Sequence, residues 1–151
     1  PNIAPKAYAL RFFAPLSSDL IDSYQSIHNI RVSSYYLPIL QKLNGAHAFE
    51  LSLFGIPPSM ASDPPLLDRS VAQPLDIGTA NTVWKRGYAV EKDWFHFGGG
   101  PYTFDENIGY FFDQSGTIHS MRKSGKSLGS WRTFKQFLVD ELARAEAAYS
   151  E

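Results

Sequence analysis

Apolar positions follow a helical period early in the chain and an alternating one in its middle, and that change divides it. From Ser18 onward Leu20, Ile21, Tyr24, Ile27 and His28 recur at helical spacing, while Ser17, Ser18 and Asp19 offer oxygens for the first free amides. The spacing predicts a first helix from Ser18. A second is predicted from Ser33 or Ser34, with Tyr36, Ile39, Leu40 and Leu43 on one face and Asn44-Gly45 at its end, where Gly45 can take the left-handed closing conformation. Pro38 fits only within its first turn or so. Leu51 to Gly55 alternates as a strand does, and the five prolines between Ile56 and Pro74 mark a loop. Asp76 to Arg86 reads as a short helix capped by Asp76, with Ile77, Ala80 and Trp84 on its buried side. Tyr8 to Phe13, set among Pro1, Pro5 and Pro15, is a short edge strand or an ordered arm.

The second half of the chain changes character. Trp94, Phe95, Phe97, Tyr102, Phe104, Tyr110, Phe111 and Phe112 place eight aromatics in 19 residues, interrupted by Gly98-Gly99-Gly100-Pro101, which reads as a turn or bulge between strands. Ile108 to Asp113, then Gln114-Ser115-Gly116, then Thr117 to Met121 has the pattern of a β-hairpin. After Gly129, Ser130 is placed to cap a long helix in which Trp131, Phe134, Leu138, Leu142, Ala145 and Tyr149 recur at intervals of 3, 4, 4, 3 and 4. Together these elements predict an α+β protein: a single domain with a largely antiparallel β-sheet, helices packed on one face and a long C-terminal helix. Residues 1–17 are assigned to an N-terminal arm and 18–151 to the domain.

Composition narrows the class. At 151 residues the chain suits one domain with its own core. Zero cysteines exclude disulfide scaffolds, cysteine nucleophiles and thiolate metal sites, and they fit a reducing compartment. A formal charge of -1 lacks the basic footprint of a direct nucleic-acid binder. Apolar runs of a few residues fall far short of the roughly 20 that a membrane span needs. A soluble, cytoplasmic protein with no membrane partner is expected.

The motifs that carry chemistry are incomplete. Gly125-Lys126-Ser127-Leu128-Gly129 matches the G-x-S-x-G of a nucleophile elbow, yet Asp140, Glu141 and Glu146 follow Ser127 with no His among them, so the general base is missing. The same stretch falls one residue short of a phosphate loop, with Ser120 where its first Gly belongs. His28, His47, His96 and His119 are scattered, without metal-ligand spacing. No catalytic residue, metal or cofactor is expected. Charge is segregated instead. Between Gly87 and Asp113 the balance is -4, and from Gln114 to Val139 it is +5. The acidic stretch coincides with the aromatic one, a composition suited to an interface with a basic partner, and it nominates Glu91, Asp93, Trp94, Tyr102, Asp105 and Glu106 as partner-binding residues.

The order of these pieces resembles the SUKH superfamily of Smi/Knr-like domains. Val32-Ser33 followed by a helix to Asn44-Gly45 is similar to the family's opening helix, although many members have Leu-Pro before it. Leu53-Phe54-Gly55 is similar to its apolar strand closed by Gly, and Asp76 to Trp84 to its middle helix. Phe95-His96-Phe97-Gly98-Gly99, Ile108 to Asp113 and Gly116-Thr117-Ile118 resemble the central strands and hairpin, and Trp131, Phe134 and Leu138 ahead of Glu141-Leu142 the closing helix. The resemblance spans about Ser18 to Ala148. It implies a non-enzymatic immunity protein that neutralises a cognate polymorphic or contact-dependent bacterial toxin, commonly a nuclease. The alternatives are a regulatory or scaffolding domain of the same superfamily and, third, a small hydrolase using Ser127.

Overall fold

Seven strands succeed one another in the computed structural model, each antiparallel to the next, so that sheet order equals chain order. They are β1 (Leu10–Phe12), β2 (Ala46–Ala48), β3 (Leu51–Leu53), β4 (Phe95–Thr103), β5 (Glu106–Phe112), β6 (Ile118–Met121) and β7 (Ser127–Trp131). The helices are α1 (Ser18–His28), α2 (Leu37–Leu40), α3 (Ile77–Thr82) and α4 (Phe134–Tyr149), with 3-10 turns at Pro58–Met60 and Trp84–Gly87. The structure describes residues 9–62 and 72–149; the middle of the predicted Pro-rich loop, and the N-terminal end of the predicted arm, lie outside them.

Alternation along the strands sorts the sheet's faces. Phe97, Ile108, Tyr110, Phe112 and Ile118 form one core with Ile21 and Tyr24 of α1, Leu40 of α2 and Phe137 and Ala145 of α4. The fold is therefore α+β as predicted, with helices covering one face. Across the other face His96, Phe111 and His119 are register partners on three adjacent strands, and the non-helical segment before β4 covers them with Tyr88 and Trp94. Capping follows the residue types. Ser17 accepts the Leu20 amide at the start of α1, and Asp76 accepts the Gly78 and Thr79 amides of α3 while also receiving the Tyr24 hydroxyl, which ties the two helices together.

Two asparagines substitute for missing strand neighbours. The Asn44 amide group donates to the Ile56 carbonyl at 2.7 Å and accepts its N–H at 2.8 Å, and Asn81 brackets the backbone of His96 in the same way, at 2.8 Å in both directions. Each supplies the donor and acceptor that a further strand would have provided.

Several predicted elements shift. The second helix is one turn, Leu37–Leu40, because Pro38 has no amide to donate and Ser33 turns the chain ahead of it by accepting the Tyr36 and Leu37 amides. Gly45 does take a positive φ of 85°, but as the entry to β2, a strand the pattern did not predict. The glycine run lies inside β4, where a Cβ on Gly98 would come within 2.6 Å of the Ser52 carbonyl and 3.2 Å of the Tyr110 ring, so its lack of a side chain makes room rather than a turn. Register shifts flank the run, and the reversal falls at Phe104-Asp105. Ser130 and Trp131 belong to β7, where Trp131 pairs with Ile118, and α4 begins three residues beyond Trp131, at Phe134, with the Thr133 hydroxyl accepting the Gln136 amide. Its buried positions are Phe137, Glu141 and Ala145. Trp84 lies past the end of α3, is 37 % exposed, and rests its ring edge on Phe54.

Candidate partner-binding site

The long strand β4 divides the six nominated residues into two groups. Glu91, Asp93 and Trp94 lead into it, whereas Tyr102, Asp105 and Glu106 sit at its far end, about 25 Å away at the usual rise per residue. No single ligand-sized contact joins them.

At the first end Trp94 is half-buried, stacked on His119 with ring centroids 4.5 Å apart and planes 16° apart. His119 Nε2 lies 2.8 Å from Asp113, whose other oxygen accepts the Ser115 amide and hydroxyl and the Thr117 amide. Burial works to raise the Asp113 pKa, but the hydrogen bonds from His119, Ser115 and Thr117 prevail and hold it down at about 2. Glu91 and Asp93 are exposed and, with Trp94, Asp113, Gln114 and Ser115, line a shallow cleft of about 360 Å³. Asp113 takes hydrogens from both Ser115 and the imidazole, so the serine hydroxyl is spent on the carboxylate and no nucleophile-to-base relay forms. Nor does Ser127 occupy a strand-to-helix elbow: it opens β7, with its hydroxyl 3.4 Å from the Gly129 carbonyl.

The second end is built more firmly. Buried Glu141 accepts the Tyr110 hydroxyl at 2.7 Å and the Arg144 Nε at 3.1 Å. Burial alone would lower the Arg144 pKa, but the Glu141 carboxylate holds it above its ordinary value. From that anchorage the Arg144 guanidinium lies 4.9 Å from the Tyr102 ring centre, and Arg122, paired with Glu106 at 3.0 Å, reaches the same ring at 5.9 Å. Tyr102 is thus a wall residue flanked by two cations, one of which Glu106 pairs. Asp105 accepts the Thr103 hydroxyl at 2.7 Å in the two-residue β4–β5 turn, and beside it Phe104 is 101 % exposed.

Residues that the sequence pattern did not nominate complete this end. The β2–β3 hairpin turns through Phe49 and Glu50 alone, at φ 50° and 71°, the left-handed pair that two-residue hairpins usually assign to Asn-Gly. Phe49 packs against Tyr149 of α4 at 5.7 Å, and with Glu50, Tyr102, Phe104 and Arg144 these residues line a cleft of about 420 Å³. The hairpin that carries Phe49 and Glu50 follows a strand of sequence Ala-His-Ala, too short and bland to announce itself, and Arg144 and Tyr149 join only through the docking of α4.

Among the described residues no group of three or more His, Asp or Glu side chains is arranged to hold a metal ion, and no helix is long and apolar enough to cross a membrane. Compared with known proteins, the chain matches no family model and no curated sequence.

Proposed function

We propose that this is a non-enzymatic binding protein whose partner is a bacterial toxin, and that it acts as an immunity protein by covering the toxin's active site or substrate groove in the cytoplasm. The observation that carries the binding reading is Phe104, a phenylalanine whose whole side chain stands in water at a hairpin tip, next to an aromatic cleft with charged margins. An exposed aromatic of this size gains about 2 kcal/mol when a partner takes it out of water. Aromatic anchors ringed by polar residues are where binding energy concentrates. The resemblance to SUKH domains supplies the toxin, and nucleases are common among the partners in such systems. The experiment is co-expression with each toxin encoded beside the gene: growth is rescued by the wild-type chain and much less by Phe104→Ala. If no neighbouring toxin is bound or neutralised, the immunity reading fails. A gene without a toxin neighbour would favour a scaffolding domain.

A further inference from the structure

The cleft between the two hairpin tips and the end of α4 carries more information about its partner than its aromatic lining alone. Its charges are unequal in kind. Both guanidiniums are spoken for, Arg144 by Glu141 and Arg122 by Glu106, and each also rests on the Tyr102 ring. The two exposed carboxylates are not: Glu50 and Asp105 meet no cation among the described residues, and Asp105 has only the Thr103 hydroxyl. They stand on the two turns that flank the cleft, each directly next to an aromatic residue, Phe49 beside Glu50 and Phe104 beside Asp105. The apolar surface and the uncompensated negative charge are therefore offered side by side, twice. A cation approaching either rim meets an exposed carboxylate that no neighbouring cation neutralises, set beside an apolar ring, while an anion meets only guanidiniums already neutralised.

The β2–β3 turn adds a second, independent observation. Holding Phe49 and Glu50 left-handed costs backbone energy that Asn-Gly would not. Such outliers persist where the surrounding structure over-determines them, and here the turn is fixed by the Phe49 amide donating to the Ala9 carbonyl at 2.9 Å and by the Phe49–Tyr149 ring contact. The conformation aims an aromatic and a carboxylate at the cleft together.

We propose that this cleft is the docking site for a basic segment of the partner, one that seats an apolar side chain between Phe104, Phe49 and Tyr149 and sets an adjacent Lys or Arg against Glu50 or Asp105. The inference rests on the partner-binding reading above but commits to a surface and a chemistry that the reading does not. The other group of acidic residues, Glu91 and Asp93, takes no part in it.

The test uses two capped five-residue peptides, Lys-Leu-Arg-Leu-Lys and its acidic counterpart Glu-Leu-Glu-Leu-Glu, titrated into the isotopically labelled full chain at low salt. The basic peptide is expected to shift the amide signals of Phe49, Glu50, Phe104, Asp105 and Tyr149, with shifts that weaken as salt is raised, and the acidic one to leave them in place. Phe104→Ala should weaken binding about tenfold, and Glu50→Gln with Asp105→Asn about fivefold, the size expected of two rim charge pairs. Phe104 and the two carboxylates are exposed, so the variants keep the wild-type spectrum elsewhere. Equal binding of the acidic peptide, shifts confined to Glu91, Asp93 and Trp94, self-association through the cleft in place of peptide binding, or no shifts at millimolar peptide would each overturn the proposal. Because the peptides report on the cleft whether or not a toxin is found, this failure is separate from failure of the immunity reading; conversely, a toxin neutralised equally well by wild type and by the Glu50 and Asp105 variants would retain immunity and reject this site.

Discussion

His96 is 3 % exposed, stacked on Phe111 at 4.4 Å, and kept neutral: burial pushes its pKa down to about 4. Because the folded pKa is depressed below that of the unfolded chain, this residue's contribution to stability is present in full above about pH 6.5 and is lost as pH falls toward 4. Between pH 7 and pH 4.5 urea denaturation should record a loss of about 2 kcal/mol that is absent from His96→Phe. An equal pH dependence in the variant would assign the effect to other groups. Asn44 offers a second residue-scale check. Asn44→Ala leaves the buried backbone N–H and carbonyl of Ile56 without partners and should cost about 2 kcal/mol in the same assay. Neither role was legible in the sequence. His96 read only as one histidine in a strand and Asn44 as half of a helix end, because what each does is decided by a backbone or ring distant in the chain.

Elements were legible in proportion to how strongly local chemistry specified them. α1 and α3 begin where Ser17 and Asp76 predict, and the β5–β6 hairpin follows its alternation and its Gly116. The pattern failed where tertiary partners override it. The Gly98 run reads as a turn or bulge between strands, and it is a strand interior with a register shift beside Gly98, where Ser52 and Tyr110 leave no room for a side chain; Trp131 continues the α4 period although the sheet claims it as the partner of Ile118. The strained β2–β3 turn belongs at this scale too. Glu50→Gly relieves a left-handed side-chain residue and should stabilise the fold by about 1 kcal/mol, visible as a raised Tm, while weakening partner binding. In α4, Glu141→Ala leaves the half-buried Arg144 guanidinium and the buried Tyr110 hydroxyl without their carboxylate and should destabilise by about 2 kcal/mol, with Glu141→Gln recovering part of the loss. If Glu141→Ala unfolds at the wild-type urea concentration, the wall of the cleft is not held as described.

At the scale of the whole molecule, the seven-stranded meander gives α4 and the helices α1 and α2 one face and leaves the turns of its hairpins to project at either end of β4. The acidic and aromatic stretch reads in the sequence as a single surface, but of its six nominated residues only Tyr102 lines the cleft, with Asp105 on the adjoining turn and Glu106 just beyond it. Strand length separates Glu91, Asp93 and Trp94 from it, and four of its ten lining residues are Phe49, Glu50, Arg144 and Tyr149, which only the folded topology assembles. The proposed function places the partner on Phe104 and its cleft. Isothermal titration of the purified neighbouring toxin against the wild-type chain and Phe104→Ala is the decisive measurement: tight one-to-one binding that weakens by at least about tenfold in the variant is expected, whereas identical affinity for the two chains would remove Phe104 from the interface.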